Sequence, residues 1–281
     1  MQTLLKTTWW KSSKKLLMYL LLVIVALIFI GPFLWMLGVS LMSDTQNVYT
    51  IPPSIIPNPP VLDNFINAWT SIPYGRYLLN SFILLAIMVP AHIIISALAA
   101  YPLARMNFPG RNFIFLAVIG TMFLPDEGRL VPLYLIVQDL GMTNSWWGVI
   151  MPGIAGGLAV FLMRQSYIVI PKEIEDAAII DGCGSFKLWW KIMLPMTKPA
   201  LATVAVFAFV SVWEAFIWPL IVLNDNDLYP IALGLNYLTG TFGDDVKTLT
   251  AGVAISLVPI IIFFLFTQKY FIEGLQGAVK Q

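Results

Sequence analysis

The sequence predicts an all-α polytopic membrane protein of six transmembrane helices, and three observations carry that prediction. Hydrophobic residues make up 59% of the 281-residue chain and charged residues only 11%, where a soluble domain carries about 25%. The apolar residues come in long blocks rather than alternating runs, and the mean hydropathy is +0.82. Basic residues, finally, gather at one set of block ends and avoid the other.

A bilayer core of about 30 Å takes about 20 apolar residues of helix to cross. The first qualifying block, Leu16–Ser40, follows a cytoplasmic N-terminus over residues 1–15. It is too long for a signal-peptide core and lacks a small-x-small cleavage site, so it reads as a retained span. Residues 41–76 form a long outer loop with Pro52, Pro53, Pro57, Pro59 and Pro60. Proline fixes φ and removes a donor, which predicts an irregular stretch. Asp63 is placed to cap a short helix through Trp69, and a plain solvated connector is the other reading of the loop. The remaining spans are Leu79–Leu103, Phe113–Val137, Trp146–Ile170, Ala200–Leu223 and Leu249–Phe271, with a tail over 272–281.

Of 16 basic residues, only Arg76 and Lys247 fall at outer ends, and Arg129 lies within a span. Lys6, Lys11, Lys14, Lys15, Arg105, Arg111, Arg164, Lys172, Lys187, Lys191, Lys198, Lys269 and Lys280 occupy the opposite side. Both termini are therefore predicted to be cytoplasmic. Asp44, Asp63, Asp225, Asp227, Asp244 and Asp245 populate the outer loops. A single cysteine, Cys183, and a single histidine, His92, supply neither a disulfide framework nor a metal-ligand set. No catalytic constellation is expected, and nothing suggests a nucleic-acid partner.

The segment 171–199 is unlike the rest: a charged loop, long for a connector between two spans. Pro171 suits a helix start, and Glu173, Glu175 and Asp176 favour the positive end of the dipole. Gly182 and Gly184 permit the left-handed conformation that ends a helix; Ser185 can cap the next, and Pro195 can close it. Ile174, Ala177, Ala178 and Asp181 share one face at i, i+3, i+4, i+7, where two alanines admit close approach. Helix signals alone leave two readings open, a helix pair lying on lipid headgroups and a docking element.

The spacing Asp176-Ala177-Ala178, three residues, Gly182, nine residues, Ile192, one residue, Leu194-Pro195 resembles the signature of binding-protein-dependent ABC importer permeases. The departure is Asp176, where that signature has glutamate. The resemblance spans about Tyr77–Phe271, and Ala100-Tyr101-Pro102-Leu103-Ala104-Arg105, Phe108-Pro109-Gly110 and Trp213 through Leu220 are similar to the sugar-importer branch. It implies a type I ABC importer permease fold over 77–271 in a bacterial cytoplasmic membrane. It implies a partner ATPase dimer that binds ATP and Mg and docks on 171–199, a second, non-identical permease, and an extracytoplasmic solute-binding protein. No Gly-x4-Gly-Lys-Ser/Thr loop occurs, so the chain itself is expected to hold no nucleotide. Glu173 and Asp181 join the signature residues as the expected coupling set.

Ionisable residues at membrane depth default to functional hypotheses. Two prolines and a glycine in Leu124-Pro125-Asp126-Glu127-Gly128-Arg129-Leu130-Val131-Pro132 predict a broken helix, with Glu127, Arg129 and Tyr134 lining a solute path. A Glu127–Arg129 pair that only neutralises charge is the competing reading. Glu214 stands where relatives usually carry asparagine; it can accept sugar hydroxyls while Trp213 or Trp218 stacks on a ring, or pair with Arg129. His92 reads as a hydrogen bonder between helices, and Gly153, Gly156 and Gly157 as close packing. The expected cargo is a sugar or sugar-like solute. Glycerol phosphate or another small polar solute is the alternative, and a secondary transporter would lack any use for the 171–199 loop.

Overall fold

The computed structural model describes the backbone of residues 2–50, 54, 56–241 and 245–279, with side chains over 15–50, 54, 56–238 and 245–269. Pro52, Pro53, Asp244 and the side chains of Lys6, Lys11, Lys14, Phe271 and Lys280 lie outside the described residues. Among the described residues the chain is helical, and the one extended pairing is an antiparallel bridge from Met42 to Pro60.

Four stretches are long and apolar enough to cross a membrane: Lys15–Ser40, Tyr74–Arg105, Trp146–Val169 and Val246–Lys269. A fifth arises if Ser185–Met196 and Lys198–Trp213, bent by 79°, count as one. The first lies within α1 (Gln2–Ser40), which runs unbroken through the boundary predicted at residue 15. The predicted span Phe113–Val137 is not one helix. It divides into α4 (Arg111–Gly120), a short 3-10 turn at Thr121–Phe123, and α5 (Asp126–Asp139). Leu124 and Pro125 between them are extended, because the residue before a proline is pushed out of the helical region.

The chain forms two compact units. The first comprises Met1–Ile72 and Leu238–Ile255. Here Val39, Met42 and Val48 are buried together with Val246 packed against them. The irregular loop is ordered by side chains rather than by a sheet. Buried Asn64, in α2 (Asp63–Ser71), donates to the carbonyls of Ser40 (2.9 Å) and Met42 (2.8 Å). Lys247 Nζ donates to Ser43 O at 2.7 Å. Asp63 does not cap: Leu62 holds that position, Asp63 is the first helical residue, and no side chain closes the end. The acid still favours the positive end of the dipole.

The second unit comprises Pro73–Tyr237 and Ser256–Gln281. Its centre is α3 (Tyr74–Arg105), 32 residues long and so about 48 Å at 1.5 Å per residue. α6 (Trp146–Gly153) and α7 (Gly157–Val169) divide the fourth predicted span at Ile154–Gly156. α3 packs along α7 and along the Lys198–Trp213 helix, which also touch each other. Gly153 and Gly156 lie close against α3, where a Cβ would meet Met88 at 2.4 Å and the His92 ring at 3.1 Å, and Gly157 lies against α4, where one would meet Val118 O at 2.7 Å. His92 Nδ1 lies 3.2 Å from Gly153 O, the last carbonyl of α6, so the histidine does bond across a helix interface.

Three side chains at the start of α3 help to hold the segment 224–231. Asn80 donates to Asp227 O (2.8 Å) and Tyr229 O (2.9 Å), Ser81 Oγ accepts from Ile231 N, and Arg76 pairs with Asp227 at 2.6 Å. Burial and the neighbouring Tyr237 hydroxyl push the Tyr229 phenol up to about 12.

Replacing Asn64 with leucine removes the donor from two buried carbonyls. An unpaired buried polar group costs about 1–3 kcal/mol, so the N64L protein should unfold at lower temperature in detergent while its far-UV helix signal stays the same.

Candidate functional site

α8 (Lys172–Ile180) begins after Pro171, whose ψ of 139° sets it just outside the helix, with Glu173 and Glu175 in the first turn. Its far end is closed by Gly182 at φ +75°. Cys183 N donates to Ala178 O (2.9 Å) and Gly182 N to Ile179 O (2.9 Å), the paired bonds of a Schellman cap. Gly184 takes no part in this. It is extended at φ −68° and holds the N-cap position expected of Ser185, which is the first residue of α9 (Ser185–Met196). α9 contains a π turn at Trp189–Met193, and both of its end residues are buried. Pro195 lies within its last turn, and the chain then bends by 79° into α10 (Lys198–Trp213).

The inner face of this hairpin is fixed to the second unit's core. Ala178, Leu188, Trp189 and Met193 are buried with Tyr101, Leu103, Met163 and Tyr167. Burying a large apolar side chain contributes about 1.5–3 kcal/mol. Trp189 Nε1 donates to the Tyr167 hydroxyl at 3.0 Å. Arg105, the last residue of α3, lies 2.8 Å from Glu175 through its Nε and donates to Ile170 O through a terminal nitrogen. The Nε approach is an ion pair by distance, not an aligned hydrogen bond, and both side chains are nearly buried. Ile192 and Leu194 are half-buried.

The outer face differs from the expected one. The four residues expected on one face are divided: Ile174 and Ala178 turn inward beside Glu175, while Ala177 and Asp181 stay exposed. Glu173, Asp176, Gly182 and Pro195 are exposed as well. Beside them stand Ile180, 85% exposed, and Phe186, 70% exposed, with Ile179 and Trp190 also out. The result is an apolar surface bordered by carboxylates. Sequence reasoning missed Arg105, Glu175, Tyr167 and Trp189 as its supports. Their signal was Arg105 at a span end, opposite a loop with more acids than one docking face needs.

The polar residues of the broken helices are placed as follows. Arg129 pairs with Asp126 three residues earlier, not with Glu127 or Glu214. Glu127 is exposed at the start of α5, and Tyr134 is half-buried. Glu214 is exposed where α10 ends, ahead of α11 (Ile217–Val222). Trp213 is 3% exposed and packed against Phe82 and Phe209, so it presents no ring face to a solute. Trp218 is half-buried and donates to Gly148 O at 3.1 Å. α11 packs on α5 and α6, which places the two breaks on neighbouring elements.

The sequence of the binding-protein-dependent transport system inner membrane component family matches residues 74–276. The chain belongs to that family. It is 37% identical over 261 residues to the arabinooligosaccharides transport system permease protein AraQ of Halalkalibacterium halodurans, covering 91% of this chain and 93% of the relative. It is 30% identical to the sn-glycerol-3-phosphate transport system permease protein UgpE of Yersinia pestis, covering 88% and 91%. A solved bacterial ABC transporter involved in the import of the acidic polysaccharide alginate shares its fold. The TM-score is 0.78 at 22% identity, over 91% of this chain and 95% of that one. The chain is thus an ABC importer permease, a multi-pass membrane protein with the type I fold.

In this permease the two loop glycines should behave differently. A Cβ meets nothing within 4 Å at either, but only Gly182 has a positive φ, where a β-branched residue costs about 1–3 kcal/mol. G182V should disrupt ATP-dependent uptake in proteoliposomes with the spans still folded, while G184A leaves uptake within twofold of the parent.

Proposed function

We propose that this chain is one of two permease subunits of a bacterial inner-membrane importer for a carbohydrate or carbohydrate-like solute. The observation that carries the proposal is the outer face of the α8–α9 hairpin. Its exposed Ile179, Ile180, Phe186 and Trp190, bordered by Glu173, Asp176 and Asp181, suit a groove on a partner protein. That partner is an ATPase dimer carrying ATP and Mg, with Gly182 shaping the hairpin and Ile192, Leu194 and Pro195 setting its bend. A lipid-surface role fits less well, because acids outnumber bases on α8.

The chain crosses the membrane six times with both termini cytoplasmic. α4 and α5 together make the third span and α10 with α11 the fifth, each broken at membrane depth. Residues 1–15 and 272–281 are cytoplasmic, 41–76 is the outer loop, and 77–271 is the transport core. The apolar sides of α1, exposed along Leu16–Phe29, meet lipid or the second, non-identical permease. A soluble binding protein delivers solute at the outer side, and alternating access moves it inward.

The solute class rests on relatives that carry arabinooligosaccharides and glycerol phosphate in their names. Exposed Glu127 and Glu214 favour a neutral hydroxyl-rich solute over an anion, with Arg129 neutralised by Asp126. Glu127, Arg129, Tyr134, Glu214 and Trp218 line the path, and Trp213 backs it from within the helix bundle.

Two measurements test this. The tagged chain expressed in its own operon context should co-purify an ATPase, and I180D should abolish that association; an unchanged yield of ATPase would remove the docking role. E214Q should raise the transport KM about tenfold or more with the complex intact, since hydrogen bonds to charged groups contribute about 1.5–3 kcal/mol. An unchanged KM would take Glu214 off the path.

A further inference from the structure

We propose that Arg105 and Glu175 form the strut through which movement of the docking hairpin reaches the membrane helices, a reading that rests on the hairpin being the ATPase contact. α8 carries acids on two sides. Glu173, Asp176 and Asp181 face out, while Glu175 alone faces in, onto a guanidinium at the end of α3. That guanidinium grips the hairpin twice, at the Ile170 carbonyl just before α8 and at Glu175 one turn into it. The Ile170 contact is a directed hydrogen bond and the Glu175 contact a close charge pair, so one guanidinium fixes the start of α8 at two points. An apolar contact such as Ala178 is non-directional.

The rest of the environment makes the strut stiff. Arg105 and Glu175 side chains are 12% and 11% exposed, so water screens the pair little. The end of α3 is itself held from α7, where Arg164 Nε donates to Leu103 O at 3.0 Å and the guanidinium carbon sits 3.8 Å over the Phe115 ring. α3 packs along both α7 and α10, so a push on α8 at Glu175 is delivered to the helix that touches the most of the bundle. Glu175 and Arg105 are positioning residues; neither needs to touch the ATPase or the solute.

The test is Glu175→Gln, which keeps size and acceptor while removing charge, with Arg105→Lys, which keeps charge while removing the fork. In the assembled importer, both variants should co-purify ATPase at parental yield and hydrolyse ATP at a rate within twofold of the parent. Uptake per ATP should fall about tenfold. In the isolated chain, amides of residues 171–182 should exchange with deuterium at least tenfold faster than in the parent. Unchanged uptake per ATP, or loss of ATPase association, overturns the strut. If the parent itself binds no ATPase, the docking reading fails, and unchanged exchange at 171–182 would then overturn the strut by itself.

Discussion

In a chain that crosses a bilayer, the carbonyls freed at a helix end have no water to turn to, so another helix must supply the donor. This molecule meets that requirement with long polar side chains. His92 reaches the last carbonyl of α6, Trp218 the carbonyl of Gly148, and Arg164 that of Leu103. Arg105 takes Ile170 O, and Asn80 takes two carbonyls of the segment before α12 (Ile231–Thr241). At the break between α6 and α7 the donor is His92; the other donors fasten helix ends and loops to the bundle.

The same requirement explains which parts of the fold were legible in the sequence. Unbroken spans were, since 20 apolar residues in a row have few other uses; α3 and the apolar part of α1 appear close to their predicted bounds. The break before Asp126 was legible through Pro125. The break at Glu214–Phe216 carries no mark at those residues. Its signal lay downstream in Pro219, which cannot donate to the Ala215 carbonyl four residues earlier and crowds it. At the hairpin, motif spacing identified the residues, but the face expected to hold Ile174, Ala177, Ala178 and Asp181 together is divided between the two sides. Glu175 turns inward, where Arg105 meets its charge, and Ala177 stays on the outer side.

Charge placement gives the hairpin two different surfaces from one short sequence. Neighbouring acids, Glu175 and Asp176, differ by 100° around the helix, so one is committed to the bundle and the other is free for a partner. The departure at position 176 therefore sits on the outward surface and leaves the inner attachment unchanged. Gly182 holds the two short helices at a set angle by a positive φ that costs it nothing, whereas Gly184 supplies only openness.

The π turn in α9 carries a consequence for the spacing that marks this loop. A π turn accommodates one residue more than an α turn for nearly the same rise, and here it lies between buried Trp189 and Met193 just before the bend at Thr197. The nine residues between Gly182 and Ile192 are thus a measure of rotation as much as of length. Adding or removing one would turn Leu194 and Pro195 by about 100° and aim α10 in another direction. The motif is a protractor: it records the angle at which a cytoplasmic hairpin must hand the chain back to the membrane.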